Sequence, residues 1–496
     1  MGLAPLIALV TAFTILPQSA MAASGVVVAD DDQQVLNKRL FDLAKTPGTT
    51  AEQLATVLAE GADPEASPKS IGVPGSAGVL YRAAVNLKDP RAIEVLLDAG
   101  LVPAPRIVRA AVRSNSSPEV VELLIDANRI AASEDPSLQV PNTWNHLLEA
   151  ATWNPSPAII RFLIASGEHD VNASGDGPLD LTPFLAASQR NPNPAVLEAL
   201  IKGGARTDIE AGTRRNRLTA LSLACGGNPN VEVIRFLVEL GGDADAPYPD
   251  GRPPYLMAAL SGRHPETFKL LVEHGADPNI LQAGRDTATN IAQFNSNDGM
   301  MAAAIDAGTR PRAIGPGGSP LLGLAVQNSS IDPLAALLDR GFDPNAGDTR
   351  PLNWCAVLTK RPEMVDLLVD AGADLDHRTD SNDEMFPLLT SGSNALMAAA
   401  FNLSDRGAAV LRAFVDTGID VDATNDAGTT ALMMVASRKS DSGKQTVPMI
   451  RVLIDAGADP TLRDRAGRTA REIADANPKL QGFDLEVAFA PSVSDE

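Results

Sequence analysis

Five histidines, two cysteines and 62 acidic side chains are the material from which this 496-residue chain could build a reaction or a metal site. His146, His169, His264, His274 and His377 each fall in a different stretch. None has the H-x-x-x-H spacing that puts two imidazoles on one helix face, and none lies near a cysteine. No strand-turn-helix context surrounds a serine that could serve as a nucleophile. Gly315-Pro316-Gly317-Gly318 precedes a helical stretch and follows no strand, so it reads as a turn and not as a phosphate loop. Asp243-Ala244-Asp245 and Asp420-Val421-Asp422 have the alternating acids of a calcium loop without its central glycine and closing glutamate. The expectation is therefore no catalytic residue, no metal ligand set and no cofactor.

What the chain does contain is a phrase. Leu270-Leu271-Val272-Glu273-His274-Gly275-Ala276-Asp277-Pro278-Asn279 returns, with variation, down almost the whole sequence. Its glycine falls at 61, 100, 167, 204, 241, 275, 308, 341, 372, 418 and 457, and Asn128 fills the slot once. Fixed periods of this length mean stacked supersecondary units. Within one unit, residues 250–279, turn residues lead into a short first helix with an alanine face around Ala258-Ala259, and Gly262 to Pro265 breaks the chain. A second helix follows, whose counterpart one unit earlier carries Val231, Ile234, Leu237 and Val238 on one apolar stripe. Gly275 then stands where a left-handed helix cap is required, and Asn128 is expected to do the same. Neither helix is long enough to be stable alone, so neighbours must stack to bury a continuous core.

Proline punctuates the same pattern. Pro90, Pro118, Pro157, Pro194, Pro265, Pro333, Pro362 and Pro448 each precede a second-helix stripe, usually behind a polar residue, which reads as N-cap followed by proline at the first helical position.

These repeats resemble ankyrin repeats. The resemblance rests on Leu181-Thr182-Pro183-Phe184, Gly428-Thr429-Thr430-Ala431-Leu432 and Gly467-Arg468-Thr469-Ala470, each opening a first helix, and on the Leu-Leu-x-x-Gly-Ala-Asp phrase that ends a second one. The histidine of the family's Thr-Pro-Leu-His is missing from every copy. The resemblance implies an all-α solenoid of about 12 stacked helix-turn-helix units joined by β-turn finger loops, in a divergent, bacterial branch. The expected organisation is a signal peptide over 1–22, an N-terminal segment and capping helix over 23–56, the repeats over 57–475, and a C-terminal cap with an acidic tail over 476–496. His264 and His274 occupy positions where such repeats often carry histidine, which gives them a structural role.

The resemblance also implies a surface. Finger tips and first-helix ends line a concave face that usually binds a protein. Mapped here, the helix-end positions are Trp153, Arg190, Leu260, Phe294, Asn328, Leu358, Phe401 and Arg438. Aromatic residues make up only 4% of the chain, so Trp153, Phe294 and Phe401 in that set are notable: aromatic and arginine side chains dominate interface hot spots. The finger Arg214-Arg215-Asn216-Arg217 adds a basic island, so the expected partner contacts are Trp153, Arg190, Arg214, Arg215, Arg217, Leu260, Phe294, Leu358 and Phe401. A longer finger over 376–393 is either a partner contact, a divalent-ion site or a tolerated insertion.

Composition narrows the partner. The formal net charge is −21, which repels phosphate backbones and makes nucleic acid an improbable partner. Many of the acids belong to the repeated phrase and to helix starts, where they serve turns and helix dipoles. Residues 3–16 are uncharged and mostly apolar, followed by Ala20-Met21-Ala22, so a secretory signal cut after Ala22 is expected, with no membrane span. Cys225 and Cys355 sit four repeats apart, too far for a disulfide, and are expected to be unbridged core residues. The reading is a monomeric, non-catalytic protein-binding module, periplasmic or secreted, that protects, assembles or neutralises its partner. The alternative is a secreted effector acting on a host protein.

Overall fold

The computed structural model describes residues 30–490, apart from 67–77, 141–143, 176–178, 209–210, 214–215, 246–252, 281–285, 313–320, 348–349, 380–389, 403 and 440–442. The expected signal peptide, the turn Gly315-Gly318, Arg214, Arg215, the tip of the long finger and the end of the acidic tail lie outside those residues. The chain divides into two compact units: residues 1–150 with 156–168, and residues 151–155 with 169–496. Each is a series of antiparallel helix pairs.

One pair in the larger unit shows how the sequence makes the fold. Thr182 is the N-cap, its hydroxyl accepting from the Leu185 amide, and Pro183 opens the helix Pro183–Arg190. A three-residue connection ends in Asn193, which caps the helix Pro194–Lys202 through the Ala195 amide. That helix ends in a Schellman motif: the Gly204 amide donates to Ile201, and the Ala205 amide reaches back to Leu200. Gly204 has φ +93°, a conformation that costs an L-residue about 1–2 kcal/mol. The next second helix, Val231–Glu239, buries Val233, Ile234, Leu237 and Val238. The expected stripe is shifted at one position, because Val233 takes the place of Val231. Alanines of the first helices, such as Ala187, Ala224, Ala258 and Ala292, are buried and let neighbouring first helices approach closely.

Several expectations need correction. Asn128 is not a left-handed cap. The helix Pro118–Glu134 runs straight through it, and its buried side chain donates to the Pro103 and Leu138 carbonyls. An asparagine can stay helical where a glycine phrase would have stopped the chain, so the short gap at this point is an artefact of the slot. Pro448 is the third residue of the helix Thr446–Asp455, tolerated because the first four amides have no acceptor inside the helix. Pro265 and Pro362 stand just outside their helices. The architecture is all-α except for one hairpin among the described residues: strands Ala211–Thr213 and Asn216–Leu218, paired Ala211↔Leu218, Gly212↔Arg217 and Thr213↔Asn216.

Between successive pairs runs a ladder of buried asparagines. Asn228 follows the helix Ala220–Gly227, and its side-chain amide donates to the Ser188 and Asn191 carbonyls of the preceding pair at 2.8 and 2.9 Å. Its own Oδ1 accepts from the Asn230 amide at 2.9 Å. Asn191 repeats this toward Ala151 and Asn154, Asn295 toward Ala258 and Gly262, Asn328 toward Ala292 and Asn295, and Asn402 toward Ala356 and Thr359. Asn477 does the same toward Ala436 and Arg438. In the smaller unit Asn115 reaches Ala84 and Leu87. These asparagines are 0 to 6% exposed. An amide side chain has two donors and an acceptor, which matches the two carbonyls behind it and the amide ahead.

Where the rung is not asparagine, another side chain takes part of the work. Gly262 has no room for a Cβ, which would lie 2.5 Å from the Ala258 carbonyl, and there His264 Nε2 meets the Asn228 carbonyl at 3.3 Å. Arg438 occupies its rung position with the guanidinium, donating to Ala400 and Asn402.

Replacing Asn228 by alanine strands the Ser188 and Asn191 carbonyls and the Asn230 amide in a buried loop. We expect a loss of about 2–4 kcal/mol of unfolding free energy, measured by urea titration. A loss below about 0.5 kcal/mol would show that water satisfies those groups.

Candidate functional site

The rung fixes which residue precedes it. That residue ends the first helix or follows it by one or two positions, and because its neighbour is locked inward it is left at least partly at the surface. In the larger unit this row reads Trp153, Arg190, Gly227, Ser261, Phe294, Gln327, Leu358, Phe401 and Ser437. Trp153 is 45% and Phe294 52% exposed, among the most exposed large apolar side chains described. Leu358 and Phe401 are half-buried. Arg190 is exposed, and its guanidinium carbon lies 5.3 Å from the Trp153 ring centroid, a cation-π stack.

Charge is distributed unevenly around this row. In a chain that is 21% charged, Arg190 is its one charged member. The second helices carry the charge instead, in exposed pairs such as Lys202–Glu198, Arg235–Glu232 and Lys269–Glu273. Depletion of charge with aromatic and arginine enrichment is the composition of an interface core.

The structure sorts the expected contacts. Trp153, Arg190, Phe294, Leu358 and Phe401 fall on the row. Leu260 is half-buried one residue short of it, and Ser261 holds the row position, its hydroxyl donating to the Gly226 carbonyl at 2.7 Å. Asn328 and Arg438, mapped by sequence to the same surface, are instead buried rungs one residue past it. The error is a register slip of one, which turns an exposed position into a core one. Arg217 is the middle residue of its strand, opposite Gly212.

The acids of the repeated phrase are occupied by backbone. Asp277 Oδ1 accepts from the Asn279 amide at 2.8 Å, and Asn279 Oδ1 in turn accepts from the Arg310 amide of the next repeat at 2.8 Å. Asp343 and Asn345 repeat this toward Asp374. The calcium-like acids do likewise: Asp243 accepts from Asp245, Asp420 from Asp422, and Asp422 from Asp459 of the following repeat. They are Asx turns that also staple one repeat to the next. The base of the long finger closes by Thr379 amide to Ser393 and Gly392 amide to Thr379, both at 2.8 Å.

Both cysteines are built into the packing. Cys225 and Cys355 are both free and buried, and burial pushes both thiols far above the usual range, which suppresses the thiolate. His274 Nδ1 contacts the Leu270 carbonyl one turn back at 2.8 Å. Two cavities, about 490 and 250 Å³, lie beside Ile454–Pro460 with Phe489 and beside Phe184, Asp208 and Asp243; neither is lined by a residue of the row.

Residues 184–282 match the family model for ankyrin repeats in 3 copies, so the chain carries ankyrin repeats. It is 31% identical over 151 residues to a putative ankyrin repeat-containing protein of Treponema pallidum (strain Nichols), covering 30% of this chain and 45% of that one. It is 28% identical over 225 residues to human B-cell lymphoma 3 protein, covering 43% of this chain and 45% of that one. The chain thus spans about half the length of these relatives. Among solved structures, the ankyrin repeat domain of human ASB11 superposes with a TM-score of 0.38 at 22% identity, covering 47% of this chain and 98% of that one. The ankyrin repeat domain of Bcl-3 gives 0.30 at 20% identity, with 51% and 96% covered.

Because the row stands outside the core, Trp153→Ala and Phe294→Ala should each change unfolding free energy by less than about 1 kcal/mol in urea titrations. A loss of several kcal/mol would make these aromatics part of the stack and remove them as a contact surface.

Proposed function

We propose that this protein is a non-catalytic binding module that engages one partner protein through the first-helix row from Trp153 to Ser437 and through its finger loops. Ankyrin repeats are generally protein-interaction modules. The observation that carries the reading is the row itself: exposed Trp153 and Phe294, half-buried Leu358 and Phe401, and one charged residue, in a chain of net charge −21. Keeping large apolar groups in water has no folding benefit, and such a surface is stabilised when a partner covers it. The acids that give the chain its charge serve turns and second-helix surfaces, which leaves the row available to a partner while the whole molecule repels polyanions.

The apolar run over 3–16 and the small residues Ala20-Met21-Ala22 support export, and we place the protein's work in the periplasm or outside the cell. There it acts by stoichiometric contact, as a protector, assembler or neutraliser of its partner.

The test is capture from periplasmic extract and culture medium of the organism that makes it, with the protein beside its Trp153→Ala/Phe294→Ala/Phe401→Ala variant. One protein retained by the parent and lost by a folded variant is the expected result. Retention unchanged in the variant would overturn the row as the contact surface, and detection of the protein solely in the cytosolic fraction would overturn the export reading.

A further inference from the structure

Arg190 differs from the ion-paired arginines of this chain. Arg39, Arg91, Arg129, Arg206, Arg235 and Arg340 each meet a carboxylate within 3.4 Å. Arg190 is stacked on Trp153 and makes no ion pair among the described residues. The contact holds the guanidinium over the indole face, and the guanidinium carries five N–H donors. The next position along the row is Gly227, the last residue of its helix. A Cβ built there would touch Gln189 only at ordinary distances, 3.5 Å to its carbonyl oxygen and 3.7 Å to Cγ. Packing therefore admits a side chain at 227, and glycine is a poorer helix former than alanine. Its presence leaves bare backbone beside an oriented, unpaired cation.

We propose that Arg190, oriented by Trp153 and unobstructed on the Gly227 side, takes an aspartate or glutamate side chain of the partner protein. The proposal rests on the reading of the row as a protein contact and adds the chemistry that selects the partner. The carboxylate accepts from two guanidinium N–H groups, the geometry in which arginine outperforms lysine. A polyphosphate chain is disfavoured because the surrounding charge of −21 acts on every phosphate it brings, whereas a single carboxylate in a neutral row meets one cation.

A random dodecapeptide library displayed on phage is panned on the full-length protein, and synthetic versions of the enriched peptides are titrated against folded Arg190→Gln, Arg190→Lys, Gly227→Leu and Phe294→Ala variants. The expected result is an enriched acid at one fixed peptide position. Binding should fall about ten-fold or more for Arg190→Gln, fall also for Gly227→Leu, and recover only partly for Arg190→Lys. Replacing the peptide's acid by its amide should weaken binding to the parent and have no further effect on Arg190→Gln. Peptides that require Phe294 yet are indifferent to Arg190 would overturn this inference and leave the row reading standing. No row-dependent peptide at all would overturn both. A dimer seen by sedimentation and dissociated by Arg190→Glu would give the carboxylate to a second copy and also overturn the proposal.

Discussion

A buried asparagine amide that reaches back to two carbonyls of the preceding helix pair is the contact from which the rest of this structure follows. First-helix C-termini expose carbonyls that the helix cannot satisfy, and stacking the pairs removes water from them. Asn191, Asn228, Asn295, Asn328, Asn402 and Asn477 supply the missing donors while presenting Oδ1 to the loop that starts the second helix. Each rung therefore closes one helix, starts the next and joins two repeats. The Asx staples of the repeated phrase, such as Asn279 to the Arg310 amide, join the same repeats at the other end of the pair. Apolar burial drives the stack, and these two polar ladders fix its register.

Register is what creates the surface. Because the rung residue is turned inward, the residue before it is turned outward in every pair, and the chain needs no further device to line up Trp153, Arg190, Phe294 and Phe401. The side chains at those places are exposed to differing degrees, whereas the rung residues are buried. This separates stability from recognition within two adjacent positions.

Much of the scaffold was legible in the sequence, and the reasons are local. The glycine after each second helix has φ near +90°, as at Gly204 and Gly275, and no other residue fits that conformation as well. Prolines such as Pro194 sit at a helix start because their own chemistry puts them there. The rungs were missed because asparagine is also a common turn residue: Asn193 caps a helix and Asn191, two positions earlier, bridges repeats, and nothing in the residue type distinguishes them. The recurrence of Asn-x-Asn or Asn-x-Ser at 115, 191, 228, 295, 328 and 402 was the available signal. Missing it cost the site one residue of register at Leu260, Asn328 and Arg438. Asn128 misled for the opposite reason, since a slot defined by spacing carries no information on whether the helix ends there.

The central claim is that the rungs couple neighbouring repeats, and native-state hydrogen exchange of an Asn228→Asp variant tests it most directly. The substitution keeps size and shape while turning a donor into an acceptor that faces the Ser188 and Asn191 carbonyls. Coupled repeats open together, so in the parent the amides of Pro183–Lys202 and Ala220–Glu239 should exchange with one common free energy. The account predicts that the variant splits this into two openings, with protection reduced on both sides of the broken rung. A single opening with unchanged protection would contradict it and leave apolar burial alone as the bond between repeats.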